Sequence, residues 1–279
     1  MFRRIISRLK SLTFFEIFIA ITIIAFTVFV VKYFGQKVDT KIIRVEIINK
    51  SWSENYNPYG YRTPFWLSDK LKVGQKEYDK SGKVLAEILD IENYLRGGEE
   101  AEVYLTVRVK TTYQKRLHQH FFKDKPLDLG SAIEIAPDQN IVYGQVIDLN
   151  SPESISAYPQ KTMIVTARGR GLEKNIIDQI KKGETMVNRS NGQVVGTITD
   201  ITTENTSRVY ATEITNVNNT IGFRVSPTLK DIVLKIKITA TQVDDRWYFA
   251  AHQNIKVGNA LFFYGQDINL YYLEIENIE

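Results

Sequence analysis

The side chains of this sequence that could do chemistry are few. His118 and His120 lie two apart and share one face of a strand. As imidazoles they could begin a metal site, but two His fall short of the usual three or four ligands. His252 stands apart in sequence, and the expected setting of the His pair is a solvated loop before Phe121. There is no Cys, which excludes thiolate metal sites, a Cys nucleophile and disulfides. "MIVTARGRGLEKNII" (163–177) has the strand, Gly-x-Gly, helix order of a phosphate loop. It lacks the third Gly and the βαβ context, so it reads as a loop entering a short helix, where Arg168 and Arg170 could meet an anion. Asp90 and Asp200 fall at the ends of equivalent strands, and Asp244 and Asp245 in a turn; turn formation is their expected role. No G-x-S-x-G, H-E-x-x-H, Walker or EF-hand pattern occurs. No catalytic residue, cofactor or metal is therefore assigned, and the chain reads as a non-enzyme.

Recognition chemistry is better represented. "NYNPYGYRTPFW" (55–66) gathers Tyr56, Tyr59, Tyr61, Phe65 and Trp66 in a polar, Pro-containing loop. Amphipathic rings of this kind cover a core edge or present a contact surface for a protein or glycan.

The elements that must position these residues begin with an apolar run. Leu12 to Val31 is 20 residues with one charge, Glu16. At a rise of about 1.5 Å per residue it matches a bilayer core. It is longer than the apolar part of a cleaved signal, and no small-residue cleavage site follows. A transmembrane helix is expected over 12–34, with a basic cytoplasmic tail over 1–11. Arg3, Arg4, Arg8 and Lys10 precede the run, and Lys32 and Lys37 follow it. That bias predicts a cytoplasmic N-terminus and an extracytoplasmic body. The overall charge of +4 belongs to this region, because the rest of the chain has 30 basic and 31 acidic residues. No footprint for nucleic acid remains. The bilayer and other envelope proteins are the expected partners.

The body reads as an internal duplication. "DKLKVGQKEYDKSGKVLAEILDI" (69–91) matches "DQIKKGETMVNRSNGQVVGTITDI" (178–201), with one residue added in the second copy. "FFKDKPLDLGSAIEI" (121–135) matches "FAAHQNIKVGNALFF" (249–263) in the same order. Gly74 thus corresponds to Gly183, Gly82 to Gly192 and Gly130 to Gly258, each expected at a structural turn with positive φ. "VYLTVRVK" and "IVLKIKIT" are strands before the second block. "RGGE" (96–99) and "DDR" (244–246) read as hairpin turns. "PFWLSDKLK" and "LEKNIIDQIKK" read as short helices. A mainly β fold follows, with two related β-rich domains at 38–150 and 161–279 and a linker at 151–160. The second domain carries an insertion near 203–230, an extra hairpin or edge loop.

Two resemblances rest on these motifs. The Gly-turn spacing after a single N-terminal helix resembles an uncharacterised bacterial family of single-pass membrane proteins, which implies envelope location but no activity. "LTFFEIFIAITIIA", with Thr13 second and Glu16 fifth in the run, resembles a type IV prepilin start. That resemblance implies cleavage before Leu12 and a Glu16 that pairs with a neighbouring subunit's amine, though Ser11 stands where that family has Gly. "KKGETMVNRSNGQVVGTITDITTENTSRV" is locally similar to the β domains of the cell-shape scaffold MreC, and "IKVGNALFF" to turns in efflux-pump adaptor proteins. The coiled coil of the first and the helical hairpin of the second are not found here. The expected role is a non-catalytic envelope scaffold or accessory interaction subunit. A pilin-like component and an extracytoplasmic enzyme are the alternatives.

Overall fold

The structure, a computed structural model, describes residues 14–34, 36–48, 63–96, 100–206, 209–215, 220–225 and 228–279. Helix α1 (Phe14–Phe34) passes almost at once into strand β1 (Gln36–Ile48). Residues 1–13 lie outside the described residues, as do the side chains of Ile17 and 30–34. Among the described residues no helix is long and apolar enough to cross a membrane. Apart from Glu16, Thr22 and Thr27, the described side chains of α1 are apolar, and they are exposed, among them Phe14, Phe18, Ile21, Ile24, Phe26 and Phe29. Thr22 and Thr27 turn their hydroxyls back onto the carbonyls of Phe18 (2.9 Å) and Ile23 (2.8 Å), leaving little polarity on the helix surface.

The rest is mainly β, in two sheets built alike. In the first copy, β1 is followed by β2 (Thr63–Pro64), the one-turn helix α2 (Phe65–Ser68), β3 (Lys76–Tyr78), β4 (Val84–Leu95) and β5 (Glu100–Gln114). Strands β6 (Gln119–Phe122), β7 (Lys125–Pro126), β8 (Ala132–Ile135) and β9 (Val142–Asp148) complete it. The sheet order is β3-β4-β5-β1-β9-β8. In the second copy come β10 (Gln160–Glu173), α3 (Lys174–Ile177), β11 (Thr185–Asn188), β12 (Gln193–Asn205) and β15 (Leu229–Val243). Then follow β16 (Arg246–Phe249), β17 (Gln253–Asn254), β18 (Ala260–Tyr264) and β19 (Asn269–Ile278), in the order β11-β12-β15-β10-β19-β18. Each position of one order has its counterpart in the other, consistent with an internal repeat. The insertion forms a hairpin of its own, β13 (Val209–Thr215) with β14 (Thr220–Val225).

By compactness the chain divides into 1–41 with 109–128, and 42–108 with 129–279. In the first unit Val109, Thr111, Phe122 and Leu127 are buried.

The Gly turns close on matching hydrogen bonds. The amide of Gly74 (φ +87°) donates to Ile88 O and that of Gly183 (φ +93°) to Ile198 O, both at 2.8 Å. Gly130 donates to Val146 O (2.7 Å) and Gly258 to Ile275 O (2.8 Å). The helices α2 and α3 also match: Asp69 N–H reaches Phe65 O and Asp178 N–H reaches Lys174 O, each at 2.9 Å. The stretch expected as a linker carries local structure at its start and middle. Ser151 is buried, and Ser154 caps a 3-10 turn at Ile155–Ala157.

The two sheets differ on one face. In β15, Ile232, Leu234, Ile236, Ile238 and Ala240 point into a core while Lys235 and Lys237 are exposed. This is the alternation of a sheet with one wet face. In β5, residues 101–107 are buried on both faces. The outward side chains there, Glu102, Tyr104 and Thr106, are polar yet buried, and His252 of the second copy lies against the first two.

Candidate functional site

What lies over that face is a buried polar seam. Arg44 on β1 forms an ion pair with Glu92 on β4, both nearly fully buried. Tyr94, two residues along β4, donates to the other Glu92 oxygen at 3.1 Å. Arg96 pairs with Glu102 on β5. The guanidinium of Arg44 also lies 5.6 Å from the ring centroid of Tyr104. The second copy closes the seam through His252, whose Nδ1 is 2.9 Å from the Tyr104 hydroxyl and 3.8 Å from Glu102 Oε2. Further along, Asn188 at the end of β11 accepts from Asn93 N–H (3.0 Å), and Arg189 N–H donates to Asn93 O (2.8 Å). The side chain of Tyr94 belongs to the core of the second copy rather than the first.

Burial governs the protonation of these groups. It pushes the Glu92 carboxyl up, against the opposing pull of Arg44. It also pushes the Tyr94 and Tyr104 phenols well up, with neighbouring carboxylates adding to the effect. These phenols therefore stay protonated as donors, and Glu92 is committed to Arg44. The arrangement suits holding two sheets in register better than moving a proton.

Beside the seam is a half-open pocket of about 650 Å³. Arg44, Tyr104, Asp148 and Tyr158 line it from the first copy and linker, Tyr248 and His252 from the second. Tyr158 donates to Asp148 at 3.2 Å. The volume falls in the range of small-ligand sites, and the lining offers rings with polar rims.

The residues singled out in the sequence are placed as follows. Gly74, Gly82, Gly130, Gly183, Gly192 and Gly258 all have positive φ at turns. Tyr56, Tyr59 and Tyr61 lie outside the described residues. Phe65 and Trp66 are exposed on α2, with Lys70 Nζ 5.5 Å from the Trp66 ring. His120 and His118, in the first unit, approach Thr111 (3.1 Å) and Tyr113 (3.4 Å) respectively. Among the described residues no group of three or more His, Cys, Asp or Glu is arranged to hold a metal.

Two expectations need correction. The Gly-x-Gly segment is not a loop but the interior of β10, and its arginines face carboxylates. Arg168 pairs with Glu276 and Glu204, and Arg170 with Glu274. Gly169 is there for packing, since a Cβ would stand 3.0 Å from both Ile232 Cγ1 and Leu273 Cδ2. Asp90 and Asp200 do not end strands; they lie within β4 and β12. Asp90 instead anchors the linker, accepting from Ser154 Oγ (2.6 Å) and Ile155 N–H (2.8 Å). Of the aspartates in the β15–β16 turn, Asp244 does adopt a turn conformation, at φ +52°.

The seam residues Arg44, Glu92 and Glu102 were missed because each sits at an outward position of an alternating strand, where a charge is ordinary. The signal that could have found them is the contrast between "VYLTVRVK" and "IVLKIKIT". The outward face of the second carries Val233, Lys235, Lys237 and Thr239; that of the first carries Tyr104 and Thr106 before Arg108 and Lys110, so the contrast lies in its first half alone, at Thr106 against Lys235. Compared with known proteins, the chain matches no family model, no curated sequence and no solved structure.

Proposed function

We propose that this protein is a membrane-anchored, extracytoplasmic scaffold or accessory subunit that works through contacts rather than catalysis. The observation that carries the reading is α1. Beyond the first-turn acid Glu16, its described side chains are almost wholly apolar and exposed, and a helix of that kind is stable only where something apolar surrounds it. The basic residues before it and the 20-residue run at 12–31 support a bilayer as that surrounding, with the N-terminus inside. The seam supports a structural role for the body, because its charges are spent on one another. Phe65 and Trp66, exposed beside each other, support a contact surface.

A periplasmically active reporter fused after Glu279, compared with a cytoplasmically active one, tests the topology. Activity of the cytoplasmic reporter alone would sink the reading. The pilin-like alternative draws on Thr13 and Glu16. Against it, β1 starts at Gln36, where a pilin stem would continue as helix. Mass spectrometry of the membrane-extracted protein separates the two: a methylated N-terminus at Leu12 favours the pilin-like subunit, a start near Met1 the plain anchor.

A further inference from the structure

The seam joins unlike surfaces of two like copies. The first copy offers the outer half of β4, and the second offers the turn after β11. A joint of this kind is heterologous, so each copy retains the surface that the other has used. Those two surfaces can be named from the repeat.

The turn that docks is an Asx turn. Asn188 Oδ1 accepts from Ser190 N–H (3.1 Å) and Ser190 Oγ (2.8 Å), and Gly192 N–H returns to Asn188 O (2.8 Å). Its counterpart in the first copy is Asp79-Lys80-Ser81-Gly82. Asp79 Oδ1 accepts from Ser81 N–H (2.8 Å) and Ser81 Oγ (2.6 Å), and Gly82 N–H returns to Asp79 O (3.0 Å). Lys80 therefore stands where Arg189 stands, and Lys80 and Ser81 are exposed. The receiving strand is β4, through Asn93, with Asp69 close by: Arg189 Nη2 reaches Asp69 Oδ2 at 3.2 Å. In the second copy the counterparts are Thr203 on β12 and Asp178. Residues 202–205 and Asp178 are exposed, whereas residues 91–94 of β4 are buried. On its outer side β12 pairs with β11 only over 193–197.

We propose that these two exposed surfaces join successive molecules, so that the chain assembles head to tail with further copies of itself. The Lys80 turn of one molecule seats on the outer half of β12 of the next. Lys80 N–H donates to Thr203 O, and the Lys80 ammonium meets the Asp178 carboxylate, repeating the Arg189–Asp69 pair with the same charge signs. The aromatic part of the seam is not repeated. Arg96 packs 5.6 and 5.5 Å from the Phe262 and Tyr264 ring centroids, but the first-copy counterparts of those rings are Glu134 and Ala136. The intermolecular joint is therefore weaker than the seam. It depends on confinement of the molecules in one membrane, where effective concentration is high. In this respect the inference rests on the anchored-scaffold reading.

The absence of Cys makes a clean test possible. Two differently tagged full-length chains, one Lys80→Cys and one Asp178→Cys, are co-expressed, and intact membranes are treated with a short bismaleimide. The expected product is a mixed dimer, about tenfold above either same-variant dimer. The same experiment with Lys80→Glu in the Asp178→Cys chain leaves the signal unchanged, because that chain contributes only its β12 end. Lys80→Cys paired with a Thr203→Pro, Asp178→Cys chain loses it, since Pro distorts the receiving edge. Circular dichroism of the Thr203→Pro chain checks that it is folded. Equal mixed and same-variant dimers, or none, in membranes where the topology reporter shows an anchored chain would overturn head-to-tail assembly alone. A mixed dimer formed by a chain that the reporter places in the cytoplasm would overturn the anchor and leave the assembly standing.

Discussion

Arg44 and Glu92 hold each other in a place where neither could stay alone. Removing one partner of such a buried pair leaves a stranded charge, which typically costs about 3–5 kcal/mol, while replacing both with apolar residues is often neutral. Glu92→Ala should therefore lower unfolding free energy by about 3 kcal/mol, and Arg44→Met with Glu92→Leu should recover most of it; urea titration measures both. The pair also sets a pH dependence. The native Glu92 pKa lies above its ordinary 4.5 because burial outweighs Arg44. The native state thus binds the proton more tightly than the unfolded chain. The contribution of Glu92 is most favourable below 4.5 and declines as pH rises from there through the raised native value. The stability of the wild type relative to Glu92→Gln should accordingly fall across that window. A Glu92 carboxyl midpoint below 4.5 by carbon NMR would refute this.

At the scale of elements, glycines do two separate jobs. Gly183 has φ +93° and open space where a Cβ would go, so Gly183→Ala meets only backbone strain, about 1 kcal/mol. Gly144 has an ordinary φ, but a Cβ there would stand 2.3 Å from Val45 Cγ1 and 2.7 Å from Glu46 O. Gly144→Ala should cost more, about 3 kcal/mol, through displacement of β1 against β9. Thermal unfolding of the two variants gives the order. The turn glycines were legible in the sequence because their job is local: a Gly between two β runs is needed whatever surrounds it. Gly169 was misread as part of a loop because its job is tertiary. It makes room for Ile232 and Leu273, which come from distant strands. Arg44 and Glu92 were illegible for the same reason: alternation tells which way a side chain points, and not whether another sheet covers it. The short helices were readable from spacing; for the insertion the sequence left an extra hairpin or an edge loop open.

At the scale of the molecule, the two copies are similar in plan and unequal in self-sufficiency. The second copy's core contains Tyr94, a residue of the first. Tyr94→Ala should cost about 3 kcal/mol or more by opening a cavity in a core that lies outside its own copy. The protein should unfold in one transition rather than two, which differential scanning calorimetry would show as equal calorimetric and van't Hoff enthalpies.

The borrowed tyrosine has a consequence for synthesis. A chain leaving the ribosome makes β4, with Tyr94, long before β11 or β19 exists. Domains generally fold as they emerge, N-terminal first. The earlier sheet is then a template on which the later one completes its core. The reverse order is unavailable, since a second copy made alone has a hole where Tyr94 belongs. A slow refolding phase that Tyr94→Ala abolishes in the full chain, with no such phase in a fragment ending at Asn150, would be the kinetic trace of that dependence.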